Sequence, residues 1–341
     1  MKLVLGTVFC YWPIICKALP AYQPSSTFNW NNINFLLAFG DSYTYVQGTA
    51  GLQNYSFIRD LQNYSYSPQT LLTDEIVQNQ IGTSAGGPNW VEYLTGCFSG
   101  LPSKCGRQLW DFAFAGSDVS TTYTPLHHNF TVSFVNQIKQ WSIYAKSVIP
   151  VDVSKALVAI FIGINDISDS SKYSFPRNNA TDFPSFYSEI IETEFQAIEQ
   201  IYDAGYRDFL FMNLPPLDRT PSNQATSHPL PNSTMVHEYN AIISSSASTF
   251  AASHPGTTAL VFDTYSFLSG ILDNPSEYGI KNTTGFCPNY DAPDIATNYA
   301  AYGCLPIQEY FWYDAGHITW KVHEFLAGAV GEFLGDESCD N

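Results

Sequence analysis

Short apolar runs recur along this chain at 35–39, 109–114, 157–162, 209–214 and 259–262, each nearly continuous and only a few residues long. A strand with one face in water alternates apolar and polar residues, whereas an unbroken run needs cover on both faces. Amphipathic segments lie between the runs. Residues 186–202 set Ile190, Ile191, Phe195, Ile198 and Ile201 near helical spacing, with Gly205 just beyond, and 235–252 and 319–334 read as two further helices. Alternation of strand and helix predicts a parallel sheet with helices on both faces. Ligands of such sheets gather at the carboxyl ends of the strands, so the residues just past each run are the ones to inspect.

Three of those places carry short motifs. Gly40-Asp41-Ser42 follows the first run, Gly116 the second and Gly163-Ile164-Asn165-Asp166 the third; Asp314-Ala315-Gly316-His317 stands much later. Ser42 is the candidate nucleophile. A serine hydroxyl needs a base to take its proton, and a tight turn between strand and helix would aim its Oγ into a cleft. His317 is the candidate base. Asp314, three residues earlier, can reach the imidazole, fix its tautomer and stabilise the imidazolium. The Asn165 side-chain amide and the backbone N–H groups of Gly116 and Ser42 are candidate oxyanion donors, each typically worth about 3–4 kcal/mol in acyl transfer. Singly, every motif has a plain structural reading: a capped turn for Gly-Asp-Ser, a surface cap for Asp-x-x-His, simple turns for Gly116 and Asn165. In this order, three of them behind predicted strands, they form a complete acyl-transfer apparatus.

Other residues compete for these roles. His127, His128, His228, His237, His254 and His323 lack an aspartate three residues before them and read as surface or loop groups. Gly82-Thr83-Ser84-Ala85-Gly86 fits the G-x-S-x-G elbow. That elbow needs a strand before it and a helix directly after, and Ser84 has a polar segment before and Gly87-Pro88 after, so a cleft loop is the better reading.

The blocks Phe39-Gly40-Asp41-Ser42-Tyr43, Ala113-Phe114-Ala115-Gly116, Gly163-Ile164-Asn165-Asp166 and Asp314-Ala315-Gly316-His317 resemble the four signature blocks of the SGNH/GDSL hydrolase superfamily. Tyr43 replaces the leucine of that name, a change that leaves the chemistry intact. The resemblance implies an α/β fold, a three-layer αβα sandwich with a five-stranded parallel, flavodoxin-like sheet. It also implies a Ser-His-Asp esterase that uses no metal or cofactor. Phe39-Gly40-Asp41-Ser42-Tyr43-Thr44 and Gly87-Pro88-Asn89-Trp90-Val91-Glu92-Tyr93-Leu94 are similar to secreted fungal acetylesterases of carbohydrate esterase family 16. That narrower likeness implies removal of acetyl groups from sugars such as acetylated xylo-oligosaccharides. The alternative is a GDSL lipase or lysophospholipase acting on longer acyl esters. A silent sugar-binding protein on this fold would need one of the four blocks broken, and none is.

Composition narrows the partners. Asp and Glu number 31 against 14 Lys and Arg, a formal charge of −17 with no block of like charge. Such a surface repels phosphate backbones and anionic membranes, so neither nucleic acid nor a membrane is expected as a stable partner. Aromatic residues make up 16%, enough to fill a core and leave flat rings for a sugar cleft; Trp90 and Trp312, near the motifs, are candidates to meet substrate. Lys2, an apolar stretch over 3–15 and small residues near Ala18 read as a secretory signal peptide, 1–18, with Ala21 the alternative cleavage point. Residues 19–341 then form one domain, with no later stretch apolar and long enough to span a bilayer. Six N-glycosylation triplets, at Asn54, Asn63, Asn129, Asn179, Asn232 and Asn282, fit an extracellular glycoprotein. Of seven cysteines, Cys10 and Cys16 fall in the signal peptide. The near pairs Cys97–Cys105 and Cys287–Cys304 are the expected disulfides, Cys339 is left over, and no spacing fits a zinc site. Segments 46–90 and 264–312 read as long loops that build the cleft.

Overall fold

The five apolar runs become five strands in the computed structural model, which describes residues 28–49, 57, 67–77 and 82–338. They are β1 (Phe35–Gly40), β2 (Gln108–Asp111), β3 (Ala156–Phe161), β4 (Asp208–Met212) and β5 (Thr258–Phe262). All pair in parallel, in the order β2-β1-β3-β4-β5. Interior strand β1 sets Leu37 beside Trp110 on one side and Val158 on the other. Every residue of β3 is buried, which is why its sequence shows no alternation. The chain leaves β1 to one side for β2 and returns to the other for β3. The strand order therefore reverses between β1 and β3, where a crevice opens at their carboxyl ends.

Helices cover both faces of this α/β sheet. They are α1 (Pro68–Thr73), α2 (Trp90–Thr95), α3 (Phe134–Gln140), α4 (Ile164–Ser170), α5 (Phe183–Asp203), α6 (Pro221–Gln224), α7 (Ser233–Ser253), α8 (Thr264–Asp273), α9 (Ile295–Asn298) and α10 (Trp320–Glu337). The three helices expected from spacing are α5, α7 and α10. On α5 the buried set Phe186, Tyr187, Ile190, Ile191, Glu194, Ala197, Ile198 and Ile201 repeats every three or four residues and packs against α3 and α7. Two of these helices start earlier than their apolar period. Asp182 Oδ1 accepts from Ser185 N at 2.9 Å and Asn232 Oδ1 from Met235 N at 3.0 Å, so each cap sets the first turn before an apolar face is needed. No helix among the described residues is long and apolar enough to cross a membrane.

Two expectations shift. The regular part of the second strand is Gln108–Asp111 rather than 109–114, yet Phe112 N and Phe114 N still donate to Ala38 O and Gly40 O at 2.7 and 3.0 Å, so the run follows β1 to its end while the Asp111 carboxylate takes Ala113 N at 2.8 Å. Segment 264–312 is not a loop throughout: α8 occupies its first ten residues, capped by Asp263 Oδ1 on Ser266 N at 3.1 Å. Its buried Leu268, Ile271 and Leu272 follow helical spacing, a pattern too brief to stand out in the sequence. Both expected disulfides are present. Cys287–Cys304 closes a separation of 17 residues, a constraint worth about 3 kcal/mol, and staples a small satellite core of Ile295, Ile307, Tyr310 and Tyr313. Asn129, Asn179 and Asn232 are exposed and Asn282 is half-buried. The segment read as a signal peptide, Asn54, Asn63, Cys339 and parts of 46–90 lie outside the described residues.

Candidate active site

Ser42 lies at the β1–β3 crevice on a single turn, closed by Thr44 N and Tyr45 N donating to Asp41 O at 3.1 and 3.0 Å. No α-helix follows directly, so the expected strand-to-helix turn is shortened here. The turn can approach β3 because Gly40 has φ +154° and no side chain; a Cβ there would run into the Phe161 carbonyl oxygen. The start of α2 supports the turn from below. Asn89 Nδ2 donates to Thr44 O at 2.6 Å and Tyr45 O at 2.9 Å, and Trp90 Nε1 to Thr44 Oγ1 at 3.2 Å.

His317 arrives from the other end of the chain. Its Nε2 is 2.8 Å from Ser42 Oγ, and its Nδ1 is 2.8 and 3.0 Å from Asp314 Oδ2 and Oδ1. Asp314 Oδ1 also accepts from Gly316 N and His317 N, both at 2.8 Å. A carboxylate at Nδ1 keeps the proton there and leaves Nε2 to accept from the serine hydroxyl. The Tyr43 hydroxyl donates to Gly316 O at 2.8 Å, and its ring lies 5.6 Å from that of His317, joining the serine turn to the histidine turn. Burial opposes the Asp314 charge, but His317 and the N–H donors outweigh it and hold this carboxyl below its ordinary range. Burial also disfavours the His317 cation, yet Asp314, and then Asp41, keep the imidazole above the ordinary 6.5. Asp41 is pushed up to about 7 by burial, against the N–H of Tyr43 and the His317 charge.

The candidate oxyanion donors meet at the same place. Ser117 N donates to Phe114 O at 3.1 Å, closing a turn whose third position, Gly116, has φ +74°, a conformation natural to glycine. Asn165, in the first turn of α4, spends one amide N–H on Ser117 O at 2.9 Å, which leaves the other for the cleft. The next residue, Asp166, accepts Val119 N on both oxygens at 3.0 Å. Gln137 of α3 completes the frame: its Oε1 accepts from Gly40 N at 3.0 Å, and its Nε2 donates to Gly40 O at 2.8 Å and Ser117 Oγ at 2.9 Å. The segments after β1, β2 and β3 are thus bonded to one another, and four residues predicted from separate motifs, Ser42, Gly116, Asn165 and His317, line one cleft of about 600 Å³. Ser42, Asn165 and His317 also border a second cleft of about 470 Å³, where Leu217, Leu230 and Pro231 form an apolar wall and Lys172 and His228 add polar groups. Ser42, Asn165 and His317 thus stand between two clefts.

Several expectations need correction. Trp90 and Trp312 are 0% and 1% exposed. Trp90 holds the serine turn, and Trp312 Nε1 donates to Thr283 O at 2.9 Å, so both are scaffold. The half-exposed Tyr290 lines the larger cleft instead, with the nearly buried Tyr45 and Tyr313 in its wall. His323 is not a surface residue: it is buried beside Tyr43, and desolvation pushes its imidazole down to about 3. His127 is an exposed loop residue, as expected, and it also lines the Ser42 cleft and pairs with Asp169 at 2.7 Å. Their distance along the chain left no sequence signal. Gln137 likewise shows no motif. Ser84 lines the cleft, but α2 starts only at Trp90 and His317 engages Ser42.

The profile of the GDSL-like Lipase/Acylhydrolase family matches residues 36–330, from β1 into α10. The chain belongs to this family. It is therefore a carboxylic ester hydrolase of the GDSL type. An acetylesterase of Thermothelomyces thermophilus is 26% identical to this GDSL chain over 304 residues, spanning 87% of each protein. An acetylesterase of Hypocrea jecorina is 22% identical over 329 residues, again spanning 87% of each. Among solved structures, Est24, a carbohydrate acetylesterase from Sinorhizobium meliloti, aligns over 89% of this chain and 99% of its own, with 13% identity and a TM-score of 0.43.

Proposed function

We propose that this GDSL hydrolase is a secreted acetylesterase that removes acetyl groups from carbohydrates such as acetylated xylo-oligosaccharides. The observation that carries the reading is the unbroken hydrogen-bond chain from Ser42 Oγ through His317 to Asp314, set beside Gly116 and Asn165. Ser42 attacks the acetyl carbonyl while His317 Nε2 takes its proton. The N–H groups of Ser42 and Gly116 and the free amide N–H of Asn165 hold the oxyanion. Collapse breaks the ester bond, His317 protonates the departing sugar oxygen, and water then cleaves the acetyl-enzyme by the same path. Asp314 orients His317 throughout. The acetylesterase relatives support acetyl as the acyl group. The two disulfides and the exposed glycosylation triplets support an oxidising, extracellular destination.

The test is a hydrolysis series on 4-nitrophenyl acetate, butyrate and octanoate, run beside acetylated xylo-oligosaccharides. Acetate preference with acetate released from the oligosaccharides is expected. Octanoate preference with intact oligosaccharides would move the reading to a lipolytic GDSL enzyme. Ser42→Ala is expected to cut kcat on the order of 10⁶-fold while leaving the circular dichroism spectrum unchanged; retained turnover would remove Ser42 from the role.

A further inference from the structure

The acyl-transfer reading leaves unused a second constellation that reaches the larger cleft through His127. Asp118, His127 and Asp169 each bring one donor atom, two carboxylate oxygens and an imidazole nitrogen, to within 4.8 Å of one another. Asp118 is 2% exposed, and neither of its side-chain oxygens has a hydrogen-bond partner. Among the described residues it is the one carboxylate with both oxygens buried and idle. The Thr124 hydroxyl is near enough to ease the Asp118 charge, yet it too lies outside hydrogen-bonding geometry. Buried acidic groups without donors are rare because desolvation goes uncompensated, so this one marks a place where a positive partner belongs.

We propose that Asp118, His127 and Asp169 bind a first-row divalent transition cation, Zn²⁺ or Mn²⁺. One imidazole with two carboxylates suits these ions; Ca²⁺ and Mg²⁺ favour shells made of oxygen alone. The side chains of His127 and Asp169 are 32% and 30% exposed, and His127 lines the cleft, so the ion has a way in and water can complete its coordination. His127 Nε2 now shares a proton with Asp169 Oδ2 across 2.7 Å. The cation takes the place of that proton, so binding releases it and weakens in acid. The bound ion joins the loop after β2 to α4 through Asp118 and Asp169. It also fixes His127, whose Cβ lies 3.0 Å from where a Cβ on Gly116 would stand. The serine chemistry does not pass through the ion; its role is to brace the loop that carries Gly116.

Titration calorimetry of Zn²⁺ and of Mn²⁺ into the EDTA-treated whole protein tests this, with Mg²⁺ as the oxygen-preferring comparison. One equivalent of Zn²⁺ or Mn²⁺ is expected to bind, more tightly than Mg²⁺, and to raise the unfolding temperature. Asp118→Asn keeps the shape and removes the charge; it is expected to weaken binding by about 100-fold and to abolish the thermal shift. His127→Gln gives the same result by an independent route should Asp118→Asn fold poorly. Absence of binding at millimolar ion overturns the proposal, as does binding that both variants leave intact.

Discussion

Two histidine–carboxylate pairs reach the same cleft, one through both partners and the other through His127 alone, and they differ in how completely the charges around them are met. Asp314 accepts three N–H donors and holds His317 against Ser42. Its carboxyl is held below the ordinary range. Across the cleft Asp169 holds His127, but the neighbouring Asp118 has no donor, and burial pushes it up to about 9. The same kind of side chain is driven in opposite directions at two neighbouring places, by His317 and N–H donors in one case and by desolvation in the other. A satisfied carboxylate orients a base, whereas an unsatisfied one leaves room for a ligand.

That contrast can be broken by matched substitutions. Asp314→Asn is expected to lower kcat on 4-nitrophenyl acetate by about 10⁴-fold, because the amide no longer selects the Nδ1–H tautomer. Asp169→Asn is expected to change kcat by less than about tenfold, since its histidine does not touch Ser42. Equal losses at the two sites would make both pairs part of the chemistry. Asn165→Ala should cost about 10²–10³-fold in kcat with little change in KM, the loss typical of one oxyanion donor; a loss confined to KM would place Asn165 in substrate binding instead.

The pairs also set opposing pH preferences. His317 must be neutral to act as base, and its neighbours hold it above 6.5, so the acid limb of kcat/KM is expected above that value. An acid limb below it would mean that Asp314 does not govern the imidazole. Stability runs the other way. Burial raises Asp41 to about 7, Glu92 and Glu194 to about 8 and Asp118 to about 9, all from ordinary values near 4. Between about pH 4 and 9 these four groups make the folded chain bind more protons than the unfolded one; His323, held neutral down to about 3, opposes them below 6.5 but is one group against four, so stability rises as pH falls. His317 adds in the same direction, since its contribution is full below 6.5 and is lost as pH rises through its folded value. The Asp314 contribution is lost only as pH falls through its lowered value, below this window. The unfolding temperature at pH 5 should exceed that at pH 8 by about 5 °C. The reverse order would show that these carboxylates ionise without penalty in the folded protein.

What the sequence determined alone was whatever a short stretch of chain can specify. An unbroken apolar run requires cover on both faces, so five runs announced five strands, of which edge strand β5 is only partly covered. Asp314 and His317 are three residues apart, and one turn brings them together whatever else the chain does. Cysteines eight and seventeen residues apart closed as their spacing suggested. Tertiary structure decided the rest, because it depends on which distant segments cross at the β1–β3 crevice. Gln137 bridges Gly40 and Ser117 only because α3 passes beneath both. Trp90 turns into the core while Tyr290 faces the cleft, a choice set by packing rather than by distance from a motif. His127 meets Asp118 and Asp169 because Asp166 and Asn165 pull the loop after β2 onto α4. No local pattern records such a meeting: the hydrogen bonds that create it join residues that only the folded sheet makes neighbours.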